Sequence, residues 1–123
     1  MIEAIEALKN SGKVRVDEDH DWGYQLRFVN EAEYCGKILV LTNFEHGSHH
    51  KHSVKDETFV VLCGELFIQG EWGRVLKRPG AVATFRHNDD WADHEMWAKS
   101  LPCVIMEVST HDDDNDIIYM GDD

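Results

Sequence analysis

Beyond its first dozen residues the chain runs as short stretches of alternating apolar and polar side chains, each cut off by a turn residue. Ten such stretches stand out: Val14–Val16, Tyr24–Val29, Lys37–Asn43, Ser48–His52, Glu57–Leu62, Glu65–Gln69, Arg74–Lys77, Ala81–Phe85, His94–Ala98 and Val104–Val108. Gly47, Gly64, Gly70, Gly73 and Pro79-Gly80 fall between them. Strand-length runs at roughly 8–12-residue spacing, with no helix of crossover length between them, leave an all-β sandwich or barrel as the fold and disfavour a parallel βαβ sheet. Only the start differs. Ile2, Ile5 and Leu8 recur at helical spacing and Ser11-Gly12 ends the pattern, which predicts a short amphipathic helix. The expected organisation is an N-terminal helix over 1–12, a β-domain over 13–110 and an acidic tail over 111–123. The tail holds six of the aspartates and reads as a solvated end.

A chain of 123 residues supports one hydrophobic core, burying roughly two-thirds of the unfolded surface. Its 24 acidic and 12 basic residues give a net charge of −12. A field of that sign repels phosphate backbones and anionic headgroups, so neither nucleic acid nor membrane is an expected partner. No apolar run approaches the roughly 20 residues that cross a bilayer. The first ten residues carry acids where a signal peptide carries bases, and the expected compartment is the cytoplasm. Cys35, Cys63 and Cys103 form no C-x-x-C pair and read as reduced, buried thiols.

Two strands are apolar on both faces. Ile38-Leu39-Val40-Leu41 has no polar side, and Val60 and Leu62 lie opposite Glu57. Such strands need a second cover. A second subunit, giving a homodimer, is the expected cover; the N-terminal helix and first strand are the alternative.

The histidines carry the chemistry. If Ser48–His52 is a strand, His50 and His52 share one face and His49 the other. Glu57 opens the next strand and can point inward beside the two imidazoles. Two histidines and a carboxylate on adjoining strands supply three ligands of a first-row metal ion, with positions left for water or substrate.

The spacing His50-x-His52-x4-Glu57-x6-Gly64 resembles the first motif of the cupin family. A Pro-Gly turn and a further histidine should follow some 35–40 residues after the glutamate. Pro79-Gly80 and His94 meet that description, although Pro79 and Gly80 are adjacent and the loop before His94 is long. The resemblance implies a small single-domain cupin, an RmlC-like jelly-roll barrel or double-stranded β-helix, holding one divalent ion (Mn, Fe, Ni, Co or Zn) per chain on His50, His52, Glu57 and His94. His87 is the rival to His94, which is preferred because it starts a new apolar strand after a polar loop. Trp22-Gly23, Tyr34-Cys-Gly-Lys37, Lys55-Asp-Glu-Thr-Phe59 and Glu107-Val-Ser-Thr-His111 followed by aspartates resemble the small sugar-associated cupins and the cupin-type D-lyxose isomerases.

An ion so held acts as a Lewis acid, and isomerisation of an open-chain sugar also needs a general base within about 3 Å of the proton. Glu107 is the first candidate, since Cys103, Ile105 and Glu107 share a strand face and an apolar pocket raises a carboxyl pKa. Either that face or the opposite one, with Val104, Met106 and Val108, points inward. Lys37 is a candidate to neutralise developing charge. Lys55 is expected to pair with Asp56 or a neighbour, and Trp91 to stand at the pocket rim. His46, His49 and His111 are taken as surface or supporting residues. Three functions follow: a metal-dependent sugar isomerase or epimerase, a non-catalytic carbohydrate-binding cupin, and an Fe(II)-dependent dioxygenase.

Overall fold

The computed structural model describes residues 1–113 and 115–120. Helix α1 (Ile2–Lys9) is followed by eleven strands: β1 (Arg15–His20), β2 (Gly23–Asn30), β3 (Cys35–Leu41), β4 (His50–His52), β5 (Glu57–Cys63), β6 (Leu66–Gly70), β7 (Gly73–Lys77), β8 (Val82–Phe85), β9 (Glu95–Ala98), β10 (Cys103–Ser109) and β11 (Ile117–Tyr119). All pairings are antiparallel. A six-stranded sheet runs β1-β2-β3-β10-β5-β8, a three-stranded sheet β7-β6-β9, and β11 pairs with β4. A bridge between His50 and His94 joins β4 to the residue before β9, so the two smaller sheets form one broken layer opposite the large one. This is a jelly roll, but its sheets do not close into the barrel expected from the sequence. Among the described residues β1, β7, β8 and β11 keep a free edge.

The core lies between the layers. Leu39, Leu41, Phe59, Val61, Phe85, Cys103 and Ile105 of the large sheet meet Leu66, Ile68 and Ala98 of the other. The period-two register does this work: residues 37, 39 and 41 of β3, 57, 59 and 61 of β5, and 103, 105 and 107 of β10 share the inner face. Gly64 ends β5 at φ +76°, and a Cβ there would come within 2.3 Å of the Pro102 carbonyl. That accounts for glycine seven positions after Glu57.

A second cluster corrects the expected second-subunit cover. Ile5 of α1 packs with Leu26, Ile38, Val40 and Val104 on the outer face, with Leu8 and Leu62 against it. The chain's own helix covers β3. The tail departs from expectation in part. His111, Asp113, Asn115, Ile118 and Tyr119 are exposed, but the segment also returns along β4, pairing Ile117 with His52 and Tyr119 with His50, and Asp116 is buried. Asp114 and residues 121–123 of the expected tail lie outside the described residues. No helix is long and apolar enough to cross a membrane among the described residues.

Candidate metal centre

His50 and His52 leave β4 on the same side, Glu57 begins β5, and His94 faces them across the bridge to His50. Their ligand atoms all lie within 4.8 Å of one another. Each imidazole is oriented from behind. Nδ1 of His50 donates to the Ser48 carbonyl at 3.1 Å, that of His52 to the Asp116 carbonyl at 3.1 Å, and that of His94 to the Ala92 carbonyl at 3.0 Å. With the proton fixed on Nδ1, the Nε2 lone pair is left for the site.

The front of the cluster shows what those lone pairs lack. His94 Nε2 and Glu57 Oε2 are 2.9 Å apart, yet both are buried with no hydrogen-bond partner in acceptable geometry. Two donors that each reach about 2.1 Å to a common ion at right angles stand about 3 Å apart. The pair has that spacing, and the donor set suits a first-row divalent ion. Burial, then the neighbouring His94 and His52, pushes the His50 imidazole down to about 3. Burial also lowers His52, against the pull of Glu57. Burial alone would raise the Glu57 carboxyl, but His94, Lys55 and His52 outweigh it and hold it low. Neutral imidazoles and an ionised carboxylate are the ligand-competent forms.

The cluster opens on a cavity of about 530 Å³ between the layers. Lys37 and Glu107 sit opposite each other in the β3–β10 register and both line it, so the inward alternative for Glu107 is the one observed. Burial and the nearby Glu57 raise the Glu107 carboxyl, with Lys55 and Lys37 opposing. Lys55 does not pair with Asp56. Only 4 % exposed, its ammonium reaches Glu57 Oε1 at 3.4 Å, Glu107 Oε2 at 3.2 Å and Asp112 Oδ1 at 3.0 Å. Burial opposes its charge, but these carboxylates raise its pKa well above the usual lysine value.

His87 lies apart from the cluster, bonded to Asp56 at 2.7 Å near the surface. Trp91 is 60 % exposed and is absent from the cavity wall. The aromatic side chains there are Trp22, Phe59 and Tyr119, with Trp22 stacked on His20 at 4.6 Å between ring centroids. His46 also lines the cavity, stacked on Trp97 at 3.9 Å and paired with Glu95. His49 bonds Asp93 at 2.7 Å behind the His50–His94 bridge. His111 meets the Glu31 carbonyl at the surface.

Sequence reasoning missed the two tail aspartates. Asp116 accepts from the backbone N–H of Ser53, Val54 and Lys55 and from the Ser53 hydroxyl, fixing the turn that sets His52 and Glu57 five residues apart. Asp112 meets Lys37, Lys55 and Arg27. The run of aspartates after His111 was the available signal.

No family model matches the sequence, and a search of curated proteins finds no match. Solved structures do match. KdgF from a Halomonas species superposes with a TM-score of 0.71 at 13% identity, over 82% of this chain and 89% of that one. A cupin-superfamily sugar phosphate isomerase from Silicibacter pomeroyi gives 0.70 at 14%, over 90% of each chain. An RmlC-like cupin from Shewanella frigidimarina gives 0.71 at 10%, over 85% and 89%. The fold is that of the cupins. At these identities the likeness carries the fold alone, and the function of this chain rests on its own residues.

Proposed function

We propose that this cupin is a metal-dependent isomerase or epimerase of a sugar or a similar hydroxy-carbonyl compound. One observation carries the reading: three imidazoles with Nδ1 tied to carbonyls, and one carboxylate, converge at the wall of a cavity that also holds Glu107 and Lys37. His50, His52, Glu57 and His94 would hold one divalent ion (Mn, Fe, Ni, Co or Zn), which supplies Lewis acidity for a bound carbonyl and its neighbouring hydroxyl. Glu107 is the base. Its Oε2 is held by Lys55, which leaves the second oxygen to take the proton from carbon and return it to the adjacent carbon, and its raised pKa suits both transfers. Lys37 donates to the oxygen on which negative charge develops. Trp22 offers an apolar face to the carbon skeleton.

The KdgF and sugar phosphate isomerase resemblances support a carbohydrate-like ligand. The Lys55–Glu107 contact favours a second reading, a carbohydrate-binding cupin without turnover, because a carboxylate tied to an ammonium is a weaker base. We place the protein in the cytoplasm, which suits three free cysteines. A homodimer remains our expectation, now on the outer face of β8 and β10, where Val82 and Val108 are exposed.

The test is elemental analysis of protein purified without a chelating column, followed by an anaerobic screen of aldoses and ketoses in deuterated water. About one ion per chain and deuterium uptake at the carbon beside the carbonyl, lost in Glu107→Gln, is the expected result. Tight sugar binding without exchange selects the binding module. Stoichiometric oxygen consumption when the same screen is repeated in air selects the dioxygenase.

A further inference from the structure

Beyond the metal cluster, the cavity contains an arrangement that looks like a filled anion site. Asp112 Oδ2 lies 3.0 Å from Lys37 Nζ and 3.2 Å from Arg27 Nη1, and Oδ1 lies 3.0 Å from Lys55 Nζ. Arg27 and Lys37 are register partners on β2 and β3, and Lys55 reaches in from the turn before β5. Three cations from three elements converge on one carboxylate, the geometry by which proteins bind carboxylate and phosphate groups. The carboxylate comes from the chain's own C-terminal segment, held by the Asn30 side chain, whose Oδ1 accepts from the Asp112 N–H and whose Nδ2 donates to the Asp112 carbonyl. The remaining charged groups on the cavity wall are mostly acidic, with Asp17, Asp19, Asp21 and Asp113 toward the mouth. Both lysines that line the cavity are engaged by carboxylates.

We propose that Asp112 is a specificity-determining residue: it occupies an anion subsite made by Arg27, Lys37 and Lys55, so that the cavity takes uncharged polyhydroxy or hydroxy-carbonyl ligands and rejects their phosphate and carboxylate counterparts. The inference rests on reading the cavity as the ligand site, and it separates this chain from its Silicibacter neighbour, a sugar phosphate isomerase. An incoming anion must displace Asp112 and face the acidic mouth. A neutral sugar needs neither.

The experiment uses the full-length, metal-free protein and sodium formate, which replaces the atoms that Asp112→Ala deletes. Formate is titrated at constant ionic strength, made up with chloride to hold screening fixed, and read by melting temperature and calorimetry. Wild type should show no saturable response. Asp112→Ala should melt lower, regain stability saturably with formate, and bind it at least about tenfold more tightly than wild type. Adding Lys37→Met should remove that response. Wild type binding formate as tightly as the variant overturns the proposal, and so does a folded Asp112→Ala that gives no saturable response. Should Asp112→Ala not fold, Asp112→Asn keeps the shape without the charge and must still gain anion affinity over wild type; equal affinity overturns the proposal. Neither metal nor sugar is present, so a failed isomerase assay and a failed formate titration are separate results.

Discussion

Replacing Asp116 with alanine removes the group that ties the end of the chain to the turn between two metal ligands. Its carboxylate accepts from three backbone amides and one hydroxyl. The amides differ in surroundings. Lys55 is buried, whereas Ser53 and Val54 are exposed, so water can replace the carboxylate at those two. A buried amide left unpaired costs about 1–3 kcal/mol, and each amide that turns to water loses about 0.5 kcal/mol of net bond. The expected destabilisation is therefore about 2–4 kcal/mol, measured by urea unfolding of the metal-free protein at neutral pH. A second effect follows from the same loss. The Asp116 carbonyl accepts from His52 Nδ1 and β11 pairs with β4, so loosening this segment frees a ligand ring, and losing such support weakens metal binding about 10–100-fold. Competition with a chromogenic chelator reads the affinity. Asp116→Asn, which keeps one acceptor oxygen, should fall between wild type and alanine on both scales. A loss under about 0.5 kcal/mol, the scale of ordinary surface substitutions, together with unchanged metal affinity would refute the claim that this segment positions the site.

His50→Ala combined with His52→Ala should abolish bound metal while the far-ultraviolet circular dichroism stays that of a β-protein; stoichiometric metal in the double variant would remove both ligands from the assignment. His94→Ala should cut metal affinity steeply and His87→Ala should leave it unchanged, because only His94 joins the cluster; titration of the two variants side by side separates them. Stability should also depend on pH through Asp112. Burial would raise its pKa, but Lys37 and Lys55 outweigh it and hold the carboxyl below its ordinary value. A depressed folded-state pKa gives stability that is fully present above the unfolded value of about 3.9 and is lost as pH falls toward the folded one. The stability difference between wild type and Asp112→Asn should be constant above about pH 5 and shrink below about pH 4, which denaturant melts at several pH values will show.

The strands were readable where one face of each is buried, because alternation then records the sheet directly. Glu57, Phe59 and Val61 alternate inward, and so do Leu66 and Ile68. Three of the four metal-cluster residues were readable for a related reason: a site built from adjoining strands leaves a short, fixed spacing, here His50, His52 and Glu57, whereas His94 came only with the cupin resemblance. Beyond that, the local pattern fails. Lys55 sits in a turn with Asp56 beside it, and nothing nearby says that it turns inward to Glu57, Glu107 and Asp112. Asp112 and Asp116 lie in a run of aspartates whose composition is that of a solvated tail, and only the return of β11 along β4 brings them inside. The outer cover misled for the same reason. A doubly apolar strand declares that it needs a partner without saying which, and Ile5 of α1 is as apolar as any second subunit.

Glu57 links the two halves of the cavity. Its Oε2 faces His94 at 2.9 Å and His52 at 3.4 Å, while its Oε1 lies 3.4 Å from Lys55. One oxygen belongs to the ligand cluster and the other to the network of Lys55, Glu107 and Asp112. A carboxylate shared in this way offers a single oxygen to an ion and gives up part of its negative charge to Lys55, leaving three neutral imidazoles as the other donors. Less donated charge keeps a bound ion more electron-poor, which favours polarising a carbonyl. Removing the ammonium by Lys55→Met would then act on both halves together. Glu57 and Glu107 would lose their shared ammonium while Asp112 kept Lys37 and Arg27, and loss of one partner from a buried ion pair costs about 3–5 kcal/mol. The same change would return full charge to Glu57. Metal affinity should therefore rise, or hold, while unfolding stability falls, a divergence that simple loss of structure does not produce.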